Sequence, residues 1–469
     1  MVGGKASSST ALVLTGGALA AAVTGAVLSR SGGTVLVAAA LLGVAFAVLV
    51  VNDIVGALAV FIVLSFVEQI PGAGSGVTVV KGVGALIALA WVFGLLRRRW
   101  TLAPLLGPQL AFAACGIALV VWAADSALWA SDRHVALSTA SRLAQGVLLS
   151  FVIVTCLSER RALRIALFAF VLGAAIAAAL GLAGVAGSVA STSPTASADV
   201  RIGGGLGDPN YLAAVLVPAI FCAIGLRETV GRRALRLAML TILVLLAVAL
   251  LRTESRGGFV GLLASAGAAV VMGGSLRRRI FTSVGTVAVA GAVYFTLFAS
   301  STSLHRLTGA GGGSGRTEIW GVALKAAGAH PLAGVGAGNF PVVEPGYAAA
   351  TNANLTKPYM ELDLGEVVHN TYLHLLAELG AIGLALFAIL VVTALVLCLR
   401  ACRTFARNGE HELETLARGL LVGAIGMLVA FAFLTAQYEK QLWIVLALLL
   451  ATHVVSGRRS RGRCRAPTS

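Results

Sequence analysis

Residues 371–399 read TYLHLLAELGAIGLALFAILVVTALVLCL, and this stretch decides the fold class. Past its polar first residues it is apolar almost without break, with Glu378 about two turns in. About 20 residues of helix cross the roughly 30 Å hydrocarbon core of a bilayer. In lipid each backbone N–H and C=O must find a partner within the protein, which an isolated strand cannot provide. A membrane strand would also alternate polar and apolar residues, and this stretch does not. The segment is therefore expected to be a membrane-spanning helix.

Comparable runs lie near 9–29, 33–51, 54–69, 78–96, 104–123, 136–157, 162–190, 211–226, 237–251, 259–275, 280–299, 416–435 and 442–455. The predicted fold is an all-α polytopic membrane protein with about fourteen transmembrane helices, or twelve to fourteen, and one long outer loop. Composition agrees: 58% of the 469 residues are hydrophobic and 12% charged, a ratio from which a water-soluble surface cannot be built. The net charge of +16 resides in loops between spans, so nucleic-acid binding is excluded as its explanation. All six cysteines fall in apolar runs or in stretches assigned to the cytoplasm, so no disulfide framework is implied. Lys5 precedes an apolar run too long for a signal peptide, which reads as a first span.

Cytoplasmic loops of membrane proteins retain Lys and Arg. Starting inside, the cytoplasmic pieces hold 23 basic and 6 acidic residues and the outer pieces 10 and 11. This split predicts both termini in the cytoplasm. Residues 1–299 would hold eleven helices, 300–369 the long outer loop with short helices, 370–456 three helices, and 457–469 a basic cytoplasmic tail. Within the loop, Gly309–Gly315 reads as a hinge and Glu318–Ala327 as a short amphipathic helix that could lie at the membrane interface.

Four polar groups are brought to the outer face by this topology. They are Arg201-Ile-Gly-Gly-Gly-Leu-Gly-Asp208-Pro-Asn210; Arg252-Thr-Glu254-Ser-Arg256; Arg316-Thr-Glu318-Ile-Trp320 with His330 to Asn339; and His369-Asn370-Thr-Tyr372 with His374 and Glu378. Arginine offers a permanently charged planar fork suited to phosphate oxygens, and histidine can take a proton near neutral pH. Together they suit attack by an acceptor hydroxyl on a carbon bearing a phosphorylated leaving group, carried outside the cell by a lipid. Each group also has a plainer reading. A single arginine at a helix end is more often a snorkelling end, His369 alone more often a packing histidine, and Asp208-Pro-Asn210 a cap and turn at least as often as a site. Glu378, and with weaker support Arg142, resist that reading, because an ionisable group inside a span is by default functional or paired; Glu378 shares a helix face with His374. GGGLGD and GVGAGNF are not phosphate loops, since neither follows a parallel strand nor precedes Lys-Ser or Lys-Thr. His411-Glu412 lacks the second histidine of a zinc helix, and no other metal cluster is visible.

The succession RIGGGLGDPNYLA, ESRGGFVGLLAS, GRTEIWGVALKAAGAHPLAGVGAGNF and HNTYLHLLAELGAIGLALF resembles the O-antigen ligase and O-antigen polymerase superfamily of membrane glycosyltransferases, over roughly 200–390. The resemblance implies metal- and cofactor-independent, inverting transfer of a glycan from an undecaprenyl-pyrophosphate donor to a hydroxyl-bearing glycan or cell-envelope acceptor. It implies that His369 is the catalytic base and that Arg201, Arg256 and Arg316 hold the pyrophosphate, with Asp208, Asn210, Asn370, Tyr372, His374 and Glu378 in support. The alternative is a transporter or flippase for a lipid-linked glycan. Such a protein should gather its polar groups near the bilayer midplane, not at one face.

Overall fold

A computed structural model describes residues 46–68, 79–184, 188–189, 201–282, 285, 316–349 and 367–463. Its helices are α1 (Ile54–Leu64), α2 (Val79–Leu96), α3 (Leu110–Asp125), α4 (Arg133–Cys156), α5 (Arg160–Leu182), α6 (Pro209–Thr229) and α7 (Arg233–Arg252). They continue with α8 (Arg256–Met272), α9 (Arg316–Ala329), α10 (Phe340–Ala349), α11 (Thr371–Arg407), α12 (His411–Ala430) and α13 (Lys440–Arg463). Eight stretches among the described residues, α3 to α7 and α11 to α13, are long and apolar enough to cross a membrane; α1, α2 and α8 are apolar but shorter. Eleven of the fourteen apolar runs are thus helices, while the runs at 9–29 and 280–299 and most of 33–51 lie outside the described residues. So do the expected hinge at Gly309–Gly315 and the last residues of the tail, whose first part continues α13 to Arg463.

The bundle is organised around α6, whose apolar window is 94% buried and which packs against α5, α7, α8 and α12. Lipid provides no hydrophobic drive between helices, so close packing through small residues must hold them together. Gly419 and Gly423 of α12 meet α6: a methyl group at Gly419 would lie 2.6 Å from Phe221 O, and one at Gly423 2.6 Å from Pro218 Cα. Gly426, one turn on, abuts Gly261 and Ser265 of α8, and the Ser265 hydroxyl donates to Val422 O at 3.0 Å. The glycine-rich run before α6 has the same packing role, since Gly205 is pressed against Phe66 and Val67.

α11 is the longest helix, at 37 residues, and it is broken at Gly380, where φ is 66° and ψ −169°. A break inside a span frees backbone groups that must be satisfied by protein. The 331–336 segment does so: Val335 N–H donates to Ala377 O (2.9 Å), Gly336 N–H to Glu378 O (2.8 Å), and Ala381 and Ile382 N–H to Pro331 O (2.8 Å) and Leu332 O (3.4 Å). The approach admits no side chain at Gly334 or Gly380, both at positive φ. Trp122 of α3 donates to Leu379 O (2.9 Å), and Trp129 to Gly334 O (3.2 Å). Asn339 joins the segment to the start of α4 by accepting from Asp132 N–H (2.7 Å) and donating to Asp132 O (3.0 Å).

The segment expected to lie at the interface does otherwise. α9 buries Ile319, Val322, Ala323 and Ala326 in a second, smaller core with Phe340, Ala348, Val368 and Ala377. Its apolar face is therefore spent on protein, and it fixes the loop to the first turns of α11.

Candidate functional site

Arg256, Arg316 and His369 sit at or just before helix starts, and capping side chains define three of the helix starts around the site. Asp208 caps α6 and accepts from Tyr211 N–H at 2.7 Å. Ser255 caps α8 and accepts from Gly258 N–H at 3.2 Å, which places Arg256 in the first turn. Arg316 opens α9. Asn370 caps α11, accepting from Tyr372 and Leu373 N–H at 3.1 Å each, and His369 immediately precedes it. The cap reading of Asp208-Pro-Asn210 is thus realised at Asp208, and Asn370, expected only as a supporting site residue, is a cap as well.

The first two groups are tied directly. Arg201, on β1 (Arg201–Ile202), donates through Nε to Thr253 O (2.8 Å) and through Nη2 to Asn210 Oδ1 (3.0 Å). Asn210 Oδ1 also accepts from the Ser255 hydroxyl at 2.9 Å. Arg201 is therefore a clamp between the α6 and α8 ends as well as a cation. Arg256 and Arg316 differ, for neither makes a hydrogen bond or ion pair with any described residue. The two guanidinium groups act on each other, and Asp208 acts on Arg316. Burial, aided by a repulsion from Arg256 that is smaller than the opposing Asp208 attraction, lowers the Arg316 pKa from its ordinary value. Two cations that act on each other, with no ion pair to a carboxylate among the described residues, form a region of positive potential that an anion would relieve.

His369 faces the same region. It adopts a left-handed backbone, φ 52°, uncommon for a non-glycine residue, as does Glu254 of the second group at φ 50°. Strain of about 1–3 kcal/mol at such a residue persists only where its surroundings impose it, and such residues cluster at functional sites. Here the Val368 carbonyl accepts from Trp320 Nε1 at 3.0 Å with Val368 fully buried, and Asn370 is fixed by its cap, so His369 is held between two anchored neighbours. Burial lowers its pKa below the ordinary 6.5; Arg316 adds to the lowering, Asp208 opposes it, and His374 lowers it further. The imidazole is thereby kept neutral at physiological pH, the form that can accept a proton.

The remaining candidates brace this arrangement. The Tyr372 hydroxyl donates to Leu428 O (2.6 Å) and Thr371 Oγ1 to Leu434 O (2.7 Å), fastening the first turn of α11 to α12 and its following turn. His374 Nε2 lies 2.9 Å from Glu378 Oε1, and Glu378 also accepts from the Tyr438 hydroxyl (2.7 Å) and Phe340 N–H (3.3 Å). Arg142, inside α4, acts on Tyr438. Tyr438 escaped the sequence reading, although the polar run between the last two spans carried a signal; Thr253, Ser255 and Trp320 stood in the second and third groups without an assigned role.

Residues 241–388 match the family model described as O-antigen ligase. The match contains the second, third and fourth groups whole; the first, with Arg201, Asp208 and Asn210, lies before it and is joined to it through Thr253 and Ser255. No curated protein matches the chain. The family read from the four motifs is that of the matched stretch: over residues 241–388 the chain is similar to O-antigen ligases, and among the described residues it carries eight helices long and apolar enough to cross a membrane.

Proposed function

We propose that the chain is a glycosyltransferase of a bacterial cytoplasmic membrane that moves a glycan from an undecaprenyl-pyrophosphate carrier to a hydroxyl acceptor on the outer face. One observation carries this reading: Arg256 and Arg316 act on each other, and Arg316 acts in turn on a strained His369 whose pKa is lowered. His369 takes the proton of the acceptor hydroxyl as its oxygen attacks the sugar carbon. The bond to the pyrophosphate breaks, with inversion, and Arg256, Arg316 and the Arg201 clamp neutralise the departing charge. Stabilisation of developing charge is commonly the largest catalytic contribution, and one lost donor costs about 10²- to 10³-fold in rate. Asp208 limits the positive charge around the base. The basic loops expected at the opposite end support an orientation with both termini inside.

The test is deletion of the gene, re-expression of wild type or His369→Ala, and measurement of the carrier-linked glycan. Deletion should cause that glycan to accumulate, wild type should clear it and His369→Ala should not, although it reaches the membrane in equal amount. Single repeat units left on the carrier identify a polymerase; long chains identify a ligase. Clearance by His369→Ala at the wild-type rate refutes the base assignment.

A further inference from the structure

α6 runs from its Asp208 cap to Thr229, 21 residues or about 30 Å, so its last turn lies at the end of the bundle away from the arginines and His369. A cavity of about 570 Å³ lies at that end, within the roughly 300–1,000 Å³ of ordinary small-molecule sites. Its lining includes Glu228 of α6, Arg278 and Arg279 of the helical residues 277–282, and Glu412 and Thr415 of the first turns of α12. The walls are held by ion pairs. Arg279 pairs with Glu228 and Arg164 with Glu412, while Arg418 of α12 donates to Glu414 Oε1 (2.8 Å) and to Met272 O at the end of α8 (2.6 Å).

Two groups in this lining are left unmet. Each glutamate has its own arginine, but Arg278 makes no hydrogen bond or ion pair with any described residue. Thr415 is the second. A threonine inside a helix commonly returns its hydroxyl to the carbonyl one turn back, as Thr155, Thr241 and Thr404 do. Thr415 is 8% exposed, and its hydroxyl bonds to nothing among the described residues. Buried polar groups almost always have a partner. An anion with several acceptor oxygens would meet both, taking the charged fork of Arg278 and the hydroxyl of Thr415. Phe281, between the lining residues Arg279 and Thr282, is 45% exposed, so the rim of the cavity is apolar and open to hydrocarbon. An anion that arrives joined to hydrocarbon is a lipid headgroup, and basic pockets between membrane helices are suited to one.

We propose that this cavity binds the phosphodiester headgroup of an anionic phospholipid, held by Arg278 and the Thr415 hydroxyl, with its acyl chains passing Phe281 into the bilayer. The lipid joins α6, residues 277–282 and α12 at the end of the bundle remote from the candidate catalytic residues. It binds the folded bundle alone, so it raises stability by mass action. A choline headgroup suits the cavity less, because it would set its own cation against Arg278. The site stands apart from the reading of His369 and the outer arginines and does not depend on it.

The experiment melts the full-length protein in an uncharged detergent with rising amounts of phosphatidylglycerol, phosphatidylcholine or glycerol 3-phosphate. Wild type is compared with Arg278→Gln, Thr415→Val and Arg161→Gln. Arg161 is the control, an exposed arginine in the first turn of α5, whose Arg160 pairs with Glu410 at this same end, and it does not line the cavity. Phosphatidylglycerol should raise the wild-type melting temperature along a saturating curve, and the other two compounds much less. Arg278→Gln and Thr415→Val should each need about tenfold more phosphatidylglycerol for the half-maximal rise, while Arg161→Gln follows wild type. Every midpoint is read from the variant's own lipid-free melting temperature, so a weakened fold does not pass for weakened binding. Equal midpoints for Arg278→Gln and wild type, or an equal shift in Arg161→Gln, would overturn the site. Equal stabilisation by glycerol 3-phosphate would overturn the lipid in favour of a soluble phosphate ester, and equal stabilisation by phosphatidylcholine would overturn the selection for an anionic headgroup.

Discussion

Substituting Gly380 by alanine tests whether the broken helix holds the site. At φ 66° and ψ −169° the backbone lies in a region essentially reserved for glycine, so keeping it with a side chain costs about 1–3 kcal/mol. The added methyl would also press on the Leu332 carbonyl and lie 2.5 Å from Ala333 N, where ordinary contact begins near 3.4 Å, so the 331–336 segment must retreat by about 1 Å. Full release would forfeit the four backbone hydrogen bonds across the break, each worth about 1 kcal/mol. Release is therefore the costlier route, and a strained, shifted segment is the expected outcome. A misplacement of about 1 Å near a catalytic group can cost on the order of 10²-fold in rate. Gly380→Ala should therefore melt several degrees lower in detergent and clear carrier-linked glycan about a hundredfold more slowly. Gly321→Ala on α9, where no atom lies within 4 Å of the new methyl, is the control and should match or slightly exceed wild-type stability. Wild-type melting and clearance by Gly380→Ala would refute the claim that the segment is locked to the break.

Arg256→Lys and Arg316→Lys should each lose about tenfold or more in glycan clearance despite keeping charge, because an ammonium lacks the planar fork; clearance at the wild-type rate would count against anion binding there. Because burial and Arg316 hold His369 below 6.5, transfer by spheroplasts should persist at pH values where an ordinary histidine is protonated, with the rate falling only as pH drops through the lowered value. Removing that positive neighbour in Arg316→Gln should move this acid limb to higher pH, and a limb that stays in place shows that the two do not interact. Gly423→Ala places a methyl 2.6 Å from Pro218 Cα and should destabilise the α6–α12 contact by about 1–3 kcal/mol, read as a lower melting temperature with the site chemistry unchanged in the molecules still folded.

The spans were legible because lipid demands long apolar helices, and α3 to α7 and α11 to α13 meet that demand from local sequence alone. Capping was equally local, so Asp208 and Asn370 could be read from their own neighbourhood. The His374–Glu378 pair was legible from its four-residue spacing. The break at Gly380 was not, because a glycine among apolar residues looks like any small residue in a packed span, and what distinguishes it is a segment some 45 residues earlier. Trp320 and Tyr438 reach Val368 and Glu378 across 48 and 60 positions, and no local pattern records such contacts. Arg201 was read as a cation for ligand, and its hydrogen bonds to Thr253 and Asn210 add a scaffold role that its residue type did not announce.

The interruption in α11 also bears on biogenesis. The segment that satisfies it, Pro331 to Gly336, is synthesised before α11. By the time Gly380 leaves the ribosome, the complementary backbone has already emerged. The discontinuous helix can therefore mature against a waiting partner, so its exposed amide and carbonyl groups need not spend time in hydrocarbon. Moving these two pieces into the opposite chain order, by circular permutation, would leave the kinked span to insert unaccompanied.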